Sequence, residues 1–156
     1  IGRFGNQMFQ YAALKGIAAH HNYDWCIPPS DFNDEDKDHQ LLEAFKLPKL
    51  NHIELFGATY IEEKSFTFDE ELFNTCPDNV NLYGFFQTQK YFKHIEQEIR
   101  QDFIFVDDIW NPCNEIFKEL SKEKSVISLH IRRTDYVQKQ SYHPLCPIEY
   151  YEVALI

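Results

Sequence analysis

The stretch "SVISLHI" at 125–131 constrains the fold more than any other. It is apolar at both alternating sets of positions and rich in Val and Ile. Such a run reads as a strand buried on both faces, which is the situation of an interior strand in a parallel sheet. A sheet of that kind needs helices on both sides and crossover connections, so the run predicts an α/β protein. Immediately after it come two arginines and an aspartate, in "HIRRTDY". Side chains alternate along a strand, so Arg132 and Arg133 are expected on opposite faces. One of them can form a fork on Asp135, a purely structural ion pair. The other is then aimed outward at the carboxyl end of the strand, where open α/β sheets place their ligands. A planar guanidinium fork there suits a phosphate or diphosphate.

The rest of the chain supplies the alternation that such a sheet requires. "GRFGNQMFQYAALKGIAAHHNY" is a glycine turn that opens a helix, with Asn6 in a good N-cap position. The helix is apolar on most of its faces and is predicted to be buried, and Gly16 within it predicts close packing against another element. "DWCIPP" reads as a short strand and "LLEAFKL" as one or two helical turns. Short strands are expected within "IELFGATYIEEKSFTF" and "VNLYGFF", with a helical turn at "DEELFNT" between them. "TQKYFKHIEQEIRQDF" predicts a helix capped by Thr88, with Phe92, Ile95, Ile99 and Phe103 on one face. "NPCNEIFKELSKEK" predicts an amphipathic helix with Ile116, Phe117 and Leu120 facing inward. "CPIEYYEVALI" predicts another helix, with Pro147 in its first position.

Composition narrows the functions. The 156 residues are 44% hydrophobic and 16% aromatic, enough for an ordinary domain core. The formal net charge is −10, which excludes nucleic-acid or anionic-membrane binding by bulk charge. Any anion site must therefore be local and built from a few aimed donors. Cysteines 26, 76, 113 and 146 are widely and irregularly spaced. That spacing reads as free thiols in a reducing compartment rather than a zinc cluster or a disulfide framework. There is no apolar run of about 18 residues to span a membrane, and no signal-peptide pattern. The chain opens on "IGRFGNQ" without Met and closes on "EYYEVALI", so it is expected to be a fragment.

Other stretches carry weaker chemistry. The "GRFGNQ" turn exposes backbone N–H groups at a helix start, which suits a phosphate or a sugar hydroxyl as well as a plain cap. It has neither the Lys-Ser/Thr of a phosphate-binding loop nor dinucleotide spacing. "DED" at 34–36 has a metal-binding form but sits among further acids in a polar loop, as a solvated charge run does. His20 and His21 are adjacent on a helix, about 100° apart, and cannot easily share one metal.

Taken in order, "GRFGNQMFQYA", "NLYGFFQTQKYF", "HIRRTDYV" and "IEYYEVAL" resemble the α-1,2-fucosyltransferases of glycosyltransferase family 11, above all its bacterial members. The resemblance covers essentially the whole chain. It implies a GT-B architecture of two Rossmann-like domains. Residues 1–122 would form the N-terminal domain, and 123–156 would begin the GDP-fucose-binding C-terminal domain. It implies inverting transfer of fucose from GDP-fucose to a galactose-containing glycan, with no metal and no cofactor. By this resemblance Arg132 grips the donor diphosphate, and Arg133, His130 and Asp135 are its neighbours in the site. Gly5, Asn6 and Gln7 face the cleft between the domains. Arg132 and Asp135 are the catalytic expectations, although Asp135 is better placed as an arginine's partner than as the general base. Thr134 departs from the glycine usual in the family. The fragment alone is expected to be inactive. A cytoplasmic location is expected, with the inner face of a bacterial membrane left open. Two alternatives stand beside this reading: another GDP-sugar fucosyltransferase of α-1,6 or protein O-linked type, and a non-catalytic nucleotide- or glycan-binding module.

Overall fold

The computed structural model describes residues 2, 4–27, 41–47, 57–122, 125–142 and 144–155, without the side chains of Leu42 and Asp135. The "DED" loop and the end of "DWCIPP" lie outside the described residues. The chain divides into two compact units, 1–114 and 115–156.

Helix α1 (Phe4–His21) is the spine of the first unit. Tyr11 and Ala12 join one buried cluster with α2 (Leu41–Ala44), Phe45, Ile95 and Ile99. Ala13 and Ile17 join a second, with Leu72, Cys76, Phe86 and Tyr91. A helix that serves two cores must be apolar on most of its surface, and this one is. Between the cores Gly16 lets another segment reach the helix backbone. A Cβ at Gly16 would lie 2.2 Å from the Tyr91 carbonyl oxygen and 2.8 Å from Phe92 Cα.

Strands β1 (Thr59–Glu62) and β2 (Val80–Tyr83) pair in parallel, with Thr59 opposite Val80 and Glu62 opposite Tyr83. Helix α3 (Glu70–Thr75) lies between them in the chain, as a parallel connection requires. Asp69 starts α3 as its N-cap: Asp69 Oδ1 accepts from the Leu72 N–H at 2.9 Å. Residues 24–27 form no strand.

The predicted helix over 88–103 is broken. Thr88 does cap its start, accepting from the Lys90 N–H, but two 3₁₀ turns follow, Gln89–Tyr91 and Lys93–Ile95. Only then comes α4 (Glu96–Asp102). The break falls at Phe92, with φ −134° and ψ 11°, where the chain lies against Gly16. The expected face survives it: Ile95 and Ile99 are buried, and Phe92 and Phe103 pack against them.

An ion pair between half-buried Lys15 and buried Asp102 ties α4 back to α1. Asp102 Oδ2 accepts from Lys15 Nζ at 2.6 Å and from the Tyr11 hydroxyl at 2.9 Å. Burial and the adjoining Asp102 carboxylate push the Tyr11 phenol far above its usual range, so it stays a donor. Removing one partner from such a pair strands a buried charge, which is what makes the contact specific.

The second unit departs from expectation. None of its described residues is buried. Residues 125–133 form no strand, and Ile127 is 77% exposed. A strand apolar on both faces is satisfied only when neighbours supply both ladders and both covering layers. The described residues of this unit offer only helical elements: the end of α5 (Asp107–Leu120), α6 (Thr134–Gln138) and α7 (Ile148–Ala154). Residues 125–131 therefore have no ladder to join. Ile116, Phe117 and Leu120 of α5, expected to face inward, are exposed for the same reason. The α/β reading thus holds in the first unit as a small parallel sheet with helices. All four cysteines are unbridged, and no helix among the described residues is long and apolar enough to cross a membrane.

Two predictions follow from the packing of α1. Gly16→Ala should lower stability by about 1–3 kcal/mol through overpacking, despite the roughly 1 kcal/mol of helix propensity that alanine adds. A denaturant midpoint equal to or above wild type would contradict the close contact. The second concerns the end of α1, where the His20 ring lies 4.9 Å from His21 and 6.0 Å from His94. The Nε2 atoms of His21 and His94 donate to the carbonyls of Phe73 and Gly16, at 2.9 and 3.0 Å. Desolvation first, then the His21 and His94 charges, hold His20 below its ordinary pKa of 6.5. The folded state then binds this proton more weakly than the unfolded state. The contribution is present above the unfolded value and is lost as pH falls through the folded one. The urea midpoint should fall on acidification from about pH 7.5 to about pH 5.5, and by less in His20→Gln. An equal fall in both proteins would remove His20 from the effect.

Candidate functional site

The sequence-derived residues occupy two places, one in each unit. The first is the start of α1. The helix begins at Phe4, so Asn6 lies inside its first turn and is not the N-cap. Gly2, two residues before the helix, takes a left-handed φ of +79° that glycine accepts without strain. The Asn6 side chain folds over Gly2, where a Cβ would lie 2.1 Å from Asn6 Nδ2. Gly5 faces open space, with nothing within 4 Å of where its Cβ would stand. Gln7, about 100° further round the helix, is buried at 8% exposure and packs inside the unit.

Asn6 and Gln10, one helical turn apart, both reach the loop that follows β2. Asn6 Oδ1 accepts from Gln87 Nε2 at 2.6 Å, and Gln10 Nε2 donates to the Gly84 carbonyl at 2.9 Å. This loop is held from below by Glu63, just past the end of β1. Glu63 Oε2 accepts from the N–H groups of Phe85 and Phe86, at 3.1 and 2.8 Å. The Tyr91 hydroxyl donates to Glu63 Oε1 at 3.2 Å and accepts from the Asp69 N–H at 2.9 Å. Burial, opposed by the Asp69 N–H and reinforced by the Glu63 charge, pushes the Tyr91 phenol up to about 12. Gly84 leaves room for this arrangement, since a Cβ there would lie 2.6 Å from Glu63 Cβ. Phe86 sits at φ +52°, a left-handed position that costs an L-residue roughly 1–2 kcal/mol. Sequence reasoning passed over Glu63 and Gln87. The glycine at the end of the strand in "NLYGFFQ" was the available signal, because glycine there marks a close approach.

The second place is the loop before α6. His130, Arg132 and Arg133 are all exposed. The Arg132 guanidinium lies over the Tyr136 ring, 4.3 Å from its centroid, so an aromatic face supports it. Arg133 is the residue before α6 and its carbonyl accepts from the Val137 N–H at 2.8 Å. Thr134 opens the helix, and Asp135 follows within its first turn; the side-chain pairing expected of Asp135 lies outside the described residues. Tyr151 of α7 is raised above its usual pKa by partial desolvation first and by its hydrogen-bonded neighbour Cys146, while the positive charge of Arg133 opposes that rise. Arg133 thus lies within electrostatic reach of α7. Among the described residues no three His, Cys, Asp or Glu side chains are placed to hold a metal ion.

Both places lie in a chain that is similar along most of its length to known glycosyltransferases. The chain is 25% identical to the O-antigen biosynthesis glycosyltransferase WbnK of Escherichia coli, over 99% of this chain and 65% of that protein. It is 28% identical to galactoside alpha-(1,2)-fucosyltransferase 2 of Hylobates lar, over 88% of this chain and 40% of that protein. It is 26% identical to an alpha-1,2-colitosyltransferase of Escherichia coli, over 96% of this chain and 59% of that protein. The chain thus spans between about two fifths and two thirds of the length of these curated relatives. No solved structure matches it. The model of glycosyl transferase family 11 matches residues 1–155, from the glycine turn to the last helix, and the chain belongs to that family.

Proposed function

We propose that this chain is part of an inverting fucosyltransferase that moves fucose from GDP-fucose to a galactoside hydroxyl in α-1,2 linkage. The observation that carries the reading is the pair of exposed arginines at the start of α6 in a chain of net charge −10. A diffuse positive field is lacking, so affinity for a nucleotide diphosphate must come from donors aimed at it. The family supports glycosyl transfer, and relatives named for 1,2-linked transfer support the linkage.

The chemistry asked of the arginines is electrostatic. An acceptor oxygen bonds to the anomeric carbon as the bond from that carbon to the diphosphate breaks, and GDP departs with the electron pair. The acceptor's proton passes to a base. Negative charge grows on the departing β-phosphate, and a fixed guanidinium stabilises it more in the transition state than in the ground state. Stacking on Tyr136 restricts the Arg132 plane, which lowers the entropy lost when it engages a phosphate. In this proposal the GT-B arrangement completes the donor site. The colitosyltransferase favours a second reading, in which the same linkage is made with a different sugar. Competition between the two sugar donors for the full-length protein separates them.

Arg132→Lys in the full-length protein keeps the charge and loses the fork. The rate of fucosyl transfer should fall by roughly 10²–10³. Arg132→Ala should be at least as severe and should also weaken GDP binding. Near-normal rate and GDP affinity in Arg132→Ala would return the motif to a structural role and favour a non-catalytic module. Transfer should also persist in excess EDTA, because arginine takes the place of a divalent cation at the diphosphate. Loss of activity on chelation, restored by Mn²⁺ or Mg²⁺, would refute that division of labour.

A further inference from the structure

The loop after β2 is built with unusual care for a segment whose tip is exposed. The Glu63 carboxylate receives two successive backbone N–H groups and the Tyr91 hydroxyl. Gly84 makes space for it, and Phe86 is held in a left-handed conformation with its ring buried beside Tyr91. A non-glycine residue is kept in such a conformation only where its surroundings over-determine it, and the residue it presents is then fixed in place. The residue presented is Gln87, exposed at the carboxyl end of a parallel strand pair, where α/β sheets receive ligands. Its side chain donates to Asn6 at 2.6 Å.

We infer that Gln87 is a positioning residue for sugar binding: it holds the Asn6 amide in the orientation that receives a pair of neighbouring sugar hydroxyls. The inference rests on the fucosyltransferase reading above and gives a role to a residue that the sequence reading left without one. Two side-chain amides joined by this one hydrogen bond leave the Asn6 N–H donors and the Gln87 carbonyl acceptor uncommitted to each other. Adjacent hydroxyls on a sugar ring present the complement, since each hydroxyl can donate and accept. Asn6 is fixed from the other side by its packing on Gly2, so Gln87 decides which way the amide points. The hydroxyls belong either to the donor fucose or to the acceptor galactoside.

The test is steady-state kinetics of fucosyl transfer by the full-length protein and its Gln87→Met, Asn6→Ala and doubly substituted variants, varying donor and acceptor in turn. Methionine preserves the length of Gln87 and removes its donor. Gln87→Met should raise the KM for one of the two sugars about tenfold, with kcat within about threefold and an unchanged melting temperature. The sugar whose KM moves is the one Asn6 holds. Because Gln87 acts through Asn6, the double variant should be no worse than Asn6→Ala alone. If wild type transfers fucose and Gln87→Met matches it for both sugars, the inference falls and the fucosyltransferase reading stands. Multiplying effects in the double variant would likewise overturn the positioning role. A wild-type protein that neither transfers fucose nor binds either substrate by calorimetry would overturn the functional reading and this inference with it.

Discussion

The contact between Gly16 and the backbone of Tyr91 and Phe92 is the constraint on which the first unit depends. It sets how near α1 comes to the segment after β2, and so fixes both cores at once. Tyr91 enters one core and Phe92 packs against both. The same approach coincides with the break in the helix expected over 88–103, which falls at Phe92. It also brings the first turns of α1 to the loop at 84–87, where Asn6 and Gln10 find partners more than seventy residues away.

Around that contact the buried polar groups act as anchors. Asp102 joins α4 to α1 through Lys15 and Tyr11, and Glu63 joins the end of β1 to the loop after β2. Each carboxylate is met by several donors, the condition under which a buried or half-buried charge is tolerated. In a chain of net charge −10, the exposed arginines before α6 stand as two adjacent positive charges.

Among the described residues of the second unit, an apolar run has no strand beside it. Residues 125–131 have the composition of an interior strand, yet Val126, Ile127, Leu129 and Ile131 remain exposed. Strand formation is a property of a pair or a sheet: the ladder hydrogen bonds and the covering layers come from other segments. Helices need less. Residues 134–138 and 148–154 close their hydrogen bonds within their own segments and need no ladder from elsewhere in the chain.

Local rules therefore account for what the sequence by itself determined. The apolar wrap of residues 4–21, the glycine within it, the Thr88 cap and the Ile95/Ile99 face were all legible, because each depends on residues within a few positions of one another. The family was legible too, since its motifs are contiguous. Only the tertiary structure decided that Asn6 is no cap but a partner of Gln87, that Gln7 is buried, and that Glu63 clamps two backbone N–H groups of the loop beyond β2. Those facts rest on pairings between distant segments, and their physical cause is the close passage of one backbone over Gly16. A single sequence records the residues on both sides of such a contact but not their meeting.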